Sequence, residues 1–153
     1  MNYQGLETTK AWFEAAIPEP TVEQTCIQIG CHYEEVGEML AVTGDDGAFD
    51  EVNKIANEYK KCNEFYSKAI VALGYSDQDR AELLDSLADQ IVTAVGVAHM
   101  LGMDILGALG EVNRSNFSKF ENGKPVFDAN GKITKGKHYS RPDLTKFIGG
   151  NDD

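Results

Sequence analysis

Apolar residues recur at steps of three and four along most of the chain, which is the period of an amphipathic α-helix. The pattern predicts a short helix over residues 6–15 and long helices over residues 21–42, 50–73, 76–101 and 104–120. The third long helix is apolar on nearly every side beyond Asp89, so we expect it to be buried in a bundle or against another subunit. The chain is therefore predicted to be all-α, four-helix bundle-like and oligomeric.

Residue types at the predicted ends support these boundaries. Thr21 and Gln24 match a capping box, and Asp104 is a favourable N-cap. Pro18 and Pro20 exclude helix just before Thr21. The second long helix is predicted from one apolar stripe that consists of Val52, Ile55, Tyr59, Cys62, Tyr66, Ile70 and Leu73.

The chain changes character after Phe120. Residues 121–153 are rich in glycine, include Pro125 and Pro142, and carry five lysines between Lys124 and Lys146. This segment is predicted to be an extended basic arm, and such arms are commonly functional or packed on a partner subunit. The length of 153 residues suits one domain over residues 1–153 with a single core.

Composition and charge narrow the functional classes. The net charge of −11 disfavours nucleic acid as a partner, because proteins that bind phosphate backbones are normally basic. No apolar run is long enough for a membrane helix, and the N-terminus lacks the pattern of a signal peptide. Three cysteines without C-x-x-C spacing indicate reduced thiols in a cytoplasmic protein.

Acidic residues fall at helical spacing on two predicted helices. The first long helix carries Glu34, Glu35 and Glu38, and the third long helix carries a second set. Residues three and four apart share a helix face, so each set is expected to converge. The second set consists of Glu82, Asp85 and Asp89.

Both sets have few basic residues near them in sequence. The first helix has no Lys or Arg, and the third offers only Arg80. The negative charge of the two sets could be offset in three ways: by Lys or Arg partners, by protonation of one acid, or by a divalent cation between the helices. Oxygen ligands favour Mg²⁺, Mn²⁺ or Ca²⁺. The alternative is that both sets are solvated acidic faces. A di-iron site is disfavoured, because no histidine follows a glutamate by three residues.

The acid motifs, E-E-x-x-E followed by E-x-x-D-x-x-x-D, resemble those of the all-α NTP pyrophosphohydrolase superfamily, which includes MazG-like proteins. The resemblance covers about residues 10–145. It extends to Trp12-Phe13 ahead of residues 17–20, to Gly96 and residues 102–104, and to residues 111–120, which resemble the phosphoribosyl-ATP-pyrophosphohydrolase-like branch. The tail also matches, at residues 123–124, 131–133, 135–136, 139 and 142–144. The second helix is longer than in the family, and its Lys60, Lys61 and Asn63 have no counterpart.

The resemblance implies hydrolysis of a nucleoside triphosphate to a monophosphate and pyrophosphate. It implies Mg²⁺, with Mn²⁺ as a substitute, held by Glu35, Glu38, Glu82 and Asp85. Glu34 is the candidate to hold the attacking water or to complete a further metal site. Asp89 would orient a ligand or contact substrate.

The resemblance also implies substrate contacts. Asn113, Asn116 and Lys119 would meet the phosphates or the sugar, with Lys135 and Tyr139 of the arm as further candidates. Trp12 either stacks on the base or pins the N-terminal segment to the core.

Two other functions stay open from the sequence. The domain could be a non-catalytic helical regulator that binds nucleotide or metal, or a phosphoribosyl-ATP pyrophosphohydrolase. The base preference cannot be read, and a homodimer or homotetramer is expected.

Overall fold

The computed structural model describes residues 2–129 and 133–149, and these residues are all-α, as predicted. Six α-helices and one 3₁₀ turn follow in chain order. Gly131 and Lys132 of the tail motif, like residues 150–153 of the arm, lie outside the described residues. The helices are α1 Leu6–Ala16, α2 Val22–Val42, α3 Asp46–Lys61, α4 Glu64–Leu73, α5 Asp77–Met100 and α6 Ile105–Phe117.

Helix starts follow the predicted capping chemistry. The Gln24 N–H donates to the Thr21 hydroxyl at 3.1 Å, and the Thr21 N–H donates to the Gln24 side chain at 2.9 Å. The Gly107 N–H donates to the Asp104 carboxylate at 2.9 Å. The capping box and the Asp104 N-cap are therefore confirmed. Helix α6 ends at Phe117, three residues before the predicted end.

The predicted second helix over residues 50–73 is wrong, because two helices occupy that stretch. Cys62 adopts a left-handed conformation with φ 45° and ends α3. The Asn63 side chain then accepts a hydrogen bond from the Tyr66 N–H at 3.2 Å and starts α4. The apolar stripe continues across the break, which is why periodicity alone joined the two helices.

Two compact units make up the chain. One comprises Met1–Pro18 with Leu87–Asp153, and the other comprises Glu19–Ser86. In the second unit α2 packs against α3 and α4, and in the first α6 packs against α1 and the 3₁₀ turn Thr145–Phe147.

The close approach of α2 and α3 depends on Gly30. A Cβ atom at this position would lie 2.6 Å from the Ala56 carbonyl oxygen and 2.6 Å from Lys60 Cγ. Cys26 and Ala56 are fully buried on the two helices. Burial and the neighbouring Cys62 thiol raise the pKa of Cys26 to about 11, so it stays protonated at neutral pH.

Helix α5 is exposed for most of its length. Every residue from Asp77 to Val95 is exposed, and Ala98 is buried. The expectation that this helix is buried inside a bundle is therefore wrong for the described chain, while burial against another subunit stays a prediction. No single described helix is long and apolar enough to cross a membrane. Only α5 and α6 together have the required length and composition, and the chain bends between them.

The arm follows α6 without forming a strand in its described part. Isolated bridges join Glu121 to Lys124 and Phe127 to Ile133. The Gly136 N–H donates to the Lys119 carbonyl at 3.2 Å, and the Asp104 N–H donates to the Phe147 carbonyl at 2.8 Å. The described part of the arm is thus attached near both ends of α6.

Candidate functional site

The three acids of α2 lie within one helical turn, as their spacing predicts. Glu34 is half-buried, whereas Glu35 and Glu38 are exposed. Partial enclosure of the Glu35 carboxylate raises its pKa, and the nearby Glu38 and Glu34 carboxylates raise it further; His32 and Lys60 oppose this rise. We call Glu34, Glu35 and Glu38 the α2 acid cluster; its crowded negative charge favours a cation.

A basic partner for this cluster comes from α3. The Lys60 ammonium lies 2.6 Å from the Glu34 carboxylate. Of the three ways to offset the charge that the sequence left open, a basic partner is therefore the one observed for Glu34. Spacing along one helix could not reveal this pair, because it depends on the register of α2 against α3. The sequence marks Lys60 only as a residue without a counterpart in the family that the chain resembles.

The acids of α5 point to solvent in the described chain. Glu82, Asp85 and Asp89 are all exposed. The Gln78 amide donates to the Glu82 carboxylate at 3.0 Å. The helix is continuous from Asp77 to Met100, so the predicted sharing of one face by these acids fits the observed element.

The chemistry of these acidic side chains suits a hard divalent cation, but their positions in the single chain do not. Carboxylate oxygens are the ligands that Mg²⁺ and Mn²⁺ prefer. Across residues 2–129 and 133–149, however, no three Asp, Glu, His or Cys side chains converge closely enough to hold an ion. The described chain does not bring Glu82 and Asp85 to the α2 acid cluster.

Asn113, a predicted substrate contact, is buried at 1% exposure. Its amide nitrogen donates to the carbonyls of Tyr3 and Gly5 at 3.1 and 3.2 Å, and its amide oxygen accepts from the Thr9 hydroxyl at 3.0 Å. These bonds tie the N-terminal segment to α6. A contact between Asn113 and a substrate would require some of them to break.

Asn116 and Lys119 do come together on α6. The Lys119 ammonium donates to the Asn116 amide oxygen at 2.8 Å. The same ammonium lies 5.8 Å from the centre of the Trp12 ring. Both side chains are half-buried, so this pair can present an amide and a positive charge to an anionic ligand.

Trp12 packs between aromatic neighbours. It is 9% exposed, its ring stacks on Phe120 at 5.9 Å, and Phe13 meets it edge-on at 5.0 Å. Its indole N–H is buried without a hydrogen-bond partner among the described residues. These contacts fit the packing role; stacking on a base would displace one of these partners.

The arm candidates Lys135 and Tyr139 also contact each other. The Lys135 ammonium lies 4.8 Å from the centre of the Tyr139 ring, in a cation–π contact. Lys135 is exposed and Tyr139 is half-buried. The two candidates are thus neighbours in the described arm, and their contact with a substrate stays a prediction.

The sequence analysis did not assign roles to the residues that anchor the arm. Arg114 binds the Glu111 carboxylate through two hydrogen bonds of 2.8 Å and donates to the Arg141 carbonyl at 3.1 Å. The Asp143 N–H donates to Glu111 at 3.0 Å. The three-residue spacing of Glu111 and Arg114 is the signal that could have predicted this helical ion pair.

Comparison with known proteins returned no match, whether to a family model, a curated protein or a solved structure. The class that fold and site define is an all-α protein with three carboxylates on one turn of α2. A lysine from α3 pairs with one of them, and an amide–lysine pair lies on α6.

Proposed function

We propose that this chain is a magnesium-dependent nucleoside triphosphate pyrophosphohydrolase that acts in the cytoplasm to control nucleotide pools. It converts a nucleoside triphosphate and water into the monophosphate and pyrophosphate. The single observation that carries the proposal is the pair of acid sets at helical spacing, E-E-x-x-E on α2 and E-x-x-D-x-x-x-D on α5. Within this proposal residues 1–153 form one bundle-like domain.

The exposed face of α5 supports association with a second copy. Leu84 and Val92 are 68% and 66% exposed, a large exposure for apolar residues in the middle of a helix. Large exposed apolar side chains of this kind are common at interaction sites. In a homodimer, or a homotetramer built from such pairs, covering α5 would complete the site that a single chain leaves open.

The residues take the roles that the resemblance implies. Glu35, Glu38, Glu82 and Asp85 would hold Mg²⁺, or Mn²⁺ in its place. When bound, the ion would neutralise phosphate oxygens and lower the pKa of a bound water. Asn116 and Lys119 supply an amide and a positive charge for a phosphate or sugar. Asp89, Lys135 and Tyr139 are further candidates for substrate contact.

A second candidate is a non-catalytic regulator that binds nucleotide or metal. The exposure of the α5 acids in the described chain favours this alternative. It predicts that nucleotide binds and stays intact through long incubation with Mg²⁺ or Mn²⁺. A phosphoribosyl-ATP pyrophosphohydrolase, suggested by the resemblance of residues 111–144, is distinguished by its substrate alone.

The test of the proposal is the effect of two single substitutions on pyrophosphate release. Glu38→Ala and Asp85→Ala should each abolish turnover, because each removes a ligand of the Mg²⁺ ion that would neutralise charge developing on the phosphates. Both side chains are exposed, so the helical circular dichroism signal should persist. Asp50→Ala, at another exposed acid, is the matched control and should keep full activity. Full activity of the Glu38→Ala protein would overturn the proposal.

A further inference from the structure

Lys60 reaches the α2 acid cluster through a space that Gly30 leaves open. A Cβ atom on Gly30 would lie 2.6 Å from Lys60 Cγ, so any side chain there would block the lysine stem. Glu34 follows Gly30 by one helical turn, which is where the lysine ammonium arrives. The crossing of the two helices thus delivers a fixed positive charge to the first acid of the E-E-x-x-E motif.

The neighbouring lysine has different surroundings. Lys60 has 22% of its side chain exposed and pairs across two helices with Glu34. Lys61 has 65% exposed and pairs with Glu58 of its own helix at 2.5 Å. Solvent screens the exposed pair more strongly, so the charge of Lys60 acts more effectively on its neighbours.

We propose that Lys60 is a positioning residue of the proposed site, which holds Glu34 and supplies part of the positive charge that the α2 acid cluster needs. A divalent ion would then use Glu35 and Glu38, while Glu34 belongs to the lysine. The inference rests on the proposed function, because it takes the cluster to be a cation site. It takes Glu34 out of the further metal site that the sequence left open and makes it an acid oriented by Lys60.

A fixed ammonium beside the cluster must weaken divalent ion binding. At about 6 Å, a unit charge disfavours a divalent ion by about tenfold in binding constant at the dielectric constant of water. Replacing Lys60 by methionine removes the charge and keeps an unbranched stem. We therefore expect Lys60→Met to bind Mn²⁺ about tenfold more tightly at low ionic strength, with a smaller gain as salt is added.

The first experiment titrates nucleotide-free protein with Mn²⁺ and measures free ion by electron paramagnetic resonance. Lys61→Met is the matched control, since it removes the same charge from the adjacent position, and it should bind Mn²⁺ like the wild type. Lys60→Arg should restore the wild-type affinity because it keeps a cation. Equal Mn²⁺ affinity in the Lys60→Met and Lys61→Met proteins would overturn the proposal, as would absence of Mn²⁺ binding to the wild type.

The second experiment separates positioning from substrate contact. Lys60→Met should lower kcat while KM for the Mg²⁺–nucleotide complex changes by less than about twofold, because Lys60 holds Glu34 and not the substrate. A raised KM at unchanged kcat would make Lys60 a phosphate contact and contradict the proposal. If the wild type releases no pyrophosphate from any nucleotide, the proposed function fails, while the Mn²⁺ titration still decides whether Lys60 competes with the ion.

Discussion

Two asparagines on α6, three residues apart, have different surroundings. Asn113 is buried and bonded to two backbone carbonyls and the Thr9 hydroxyl. Asn116 is half-buried and accepts a hydrogen bond from Lys119. The first therefore stabilises the attachment of the N-terminal segment, and the second is available to the proposed substrate.

Substitution should separate these two roles. Asn113→Ala removes the hydrogen bonds to the Tyr3 and Gly5 carbonyls and from the Thr9 hydroxyl, so the free energy of unfolding should fall by about 2–3 kcal/mol. Asn116→Ala, the matched variant on the same helix, should change it by less than about 1 kcal/mol and lower the rate of pyrophosphate release. Urea unfolding followed by circular dichroism measures both. Equal stability losses in the two proteins would contradict this division of roles.

Glu111 makes the attachment of the arm dependent on pH. Hydrogen bonds from Arg114 and from the Asp143 N–H lower the pKa of Glu111 from 4.5 to about 2. A lowered pKa in the folded state stabilises the fold above the unfolded value. That stabilisation is lost as the pH falls from about 4.5 towards about 2.

Glu111→Gln should lower the melting temperature at neutral pH, because the amide carries no charge for Arg114. The difference from the wild type should shrink as the pH falls from about 4.5 towards about 2, since the wild-type carboxylate loses its charge in the unfolded chain first and in the folded chain only near pH 2. Thermal unfolding across the acid range measures this difference. Glu51→Gln, at an exposed glutamate of α3, should show no such convergence. A difference that stays constant with pH would contradict the assignment.

At the residue scale, hydrogen bonds between a side chain and its own helix could be predicted from the sequence. The Thr21 capping box and the Asp104 N-cap are local, so residue type and spacing were enough to predict them. The Lys60–Glu34 pair and the bonds of Asn113 join distant segments. Their partners depend on tertiary packing, which spacing along one helix does not encode.

At the element scale, the break between α3 and α4 shows a limit of hydrophobic periodicity. Cys62 keeps the four-residue step to Tyr66, so the apolar stripe does not register the break. Polar residues mark the break instead: Lys60 and Lys61 lie in the last turn of α3, and Asn63 caps α4. Basic residues favour a helix C-terminus and asparagine favours an N-cap, so these residue types could have predicted the boundary.

Helix α5 is the element on which the oligomer prediction depends. Val92 is 66% exposed at the middle of this apolar helix. In the proposed oligomer a second copy covers it, so Val92→Lys should disrupt the association by burying a charge. Analytical ultracentrifugation should then report single chains, and pyrophosphate release should be lost with the association.

Val42→Lys is the matched control for that experiment. Val42 is 89% exposed at the end of α2, outside the proposed contact, so the lysine should leave the oligomer unchanged. A wild-type protein that sediments as a single chain would contradict the oligomer prediction. So would a Val92→Lys protein of unchanged mass.

At the scale of the whole molecule, the proposed residues divide between the two compact units. The candidate metal ligands lie in Glu19–Ser86, and all the candidate substrate contacts lie in Met1–Pro18 and Leu87–Asp153. All-α character could be predicted from periodicity, because local spacing determines helix formation. Assembly of the two acid sets stays a prediction, since it requires a second surface that covers α5.

The most direct test of the central claim is identification of the phosphate product from each of the eight common ribo- and deoxyribonucleoside triphosphates. With Mg²⁺ present, at least one should yield the monophosphate and pyrophosphate in equal amounts, and a chelator should stop the reaction. Release of orthophosphate only, or recovery of every nucleotide intact after long incubation with Mg²⁺ and Mn²⁺, would contradict the account.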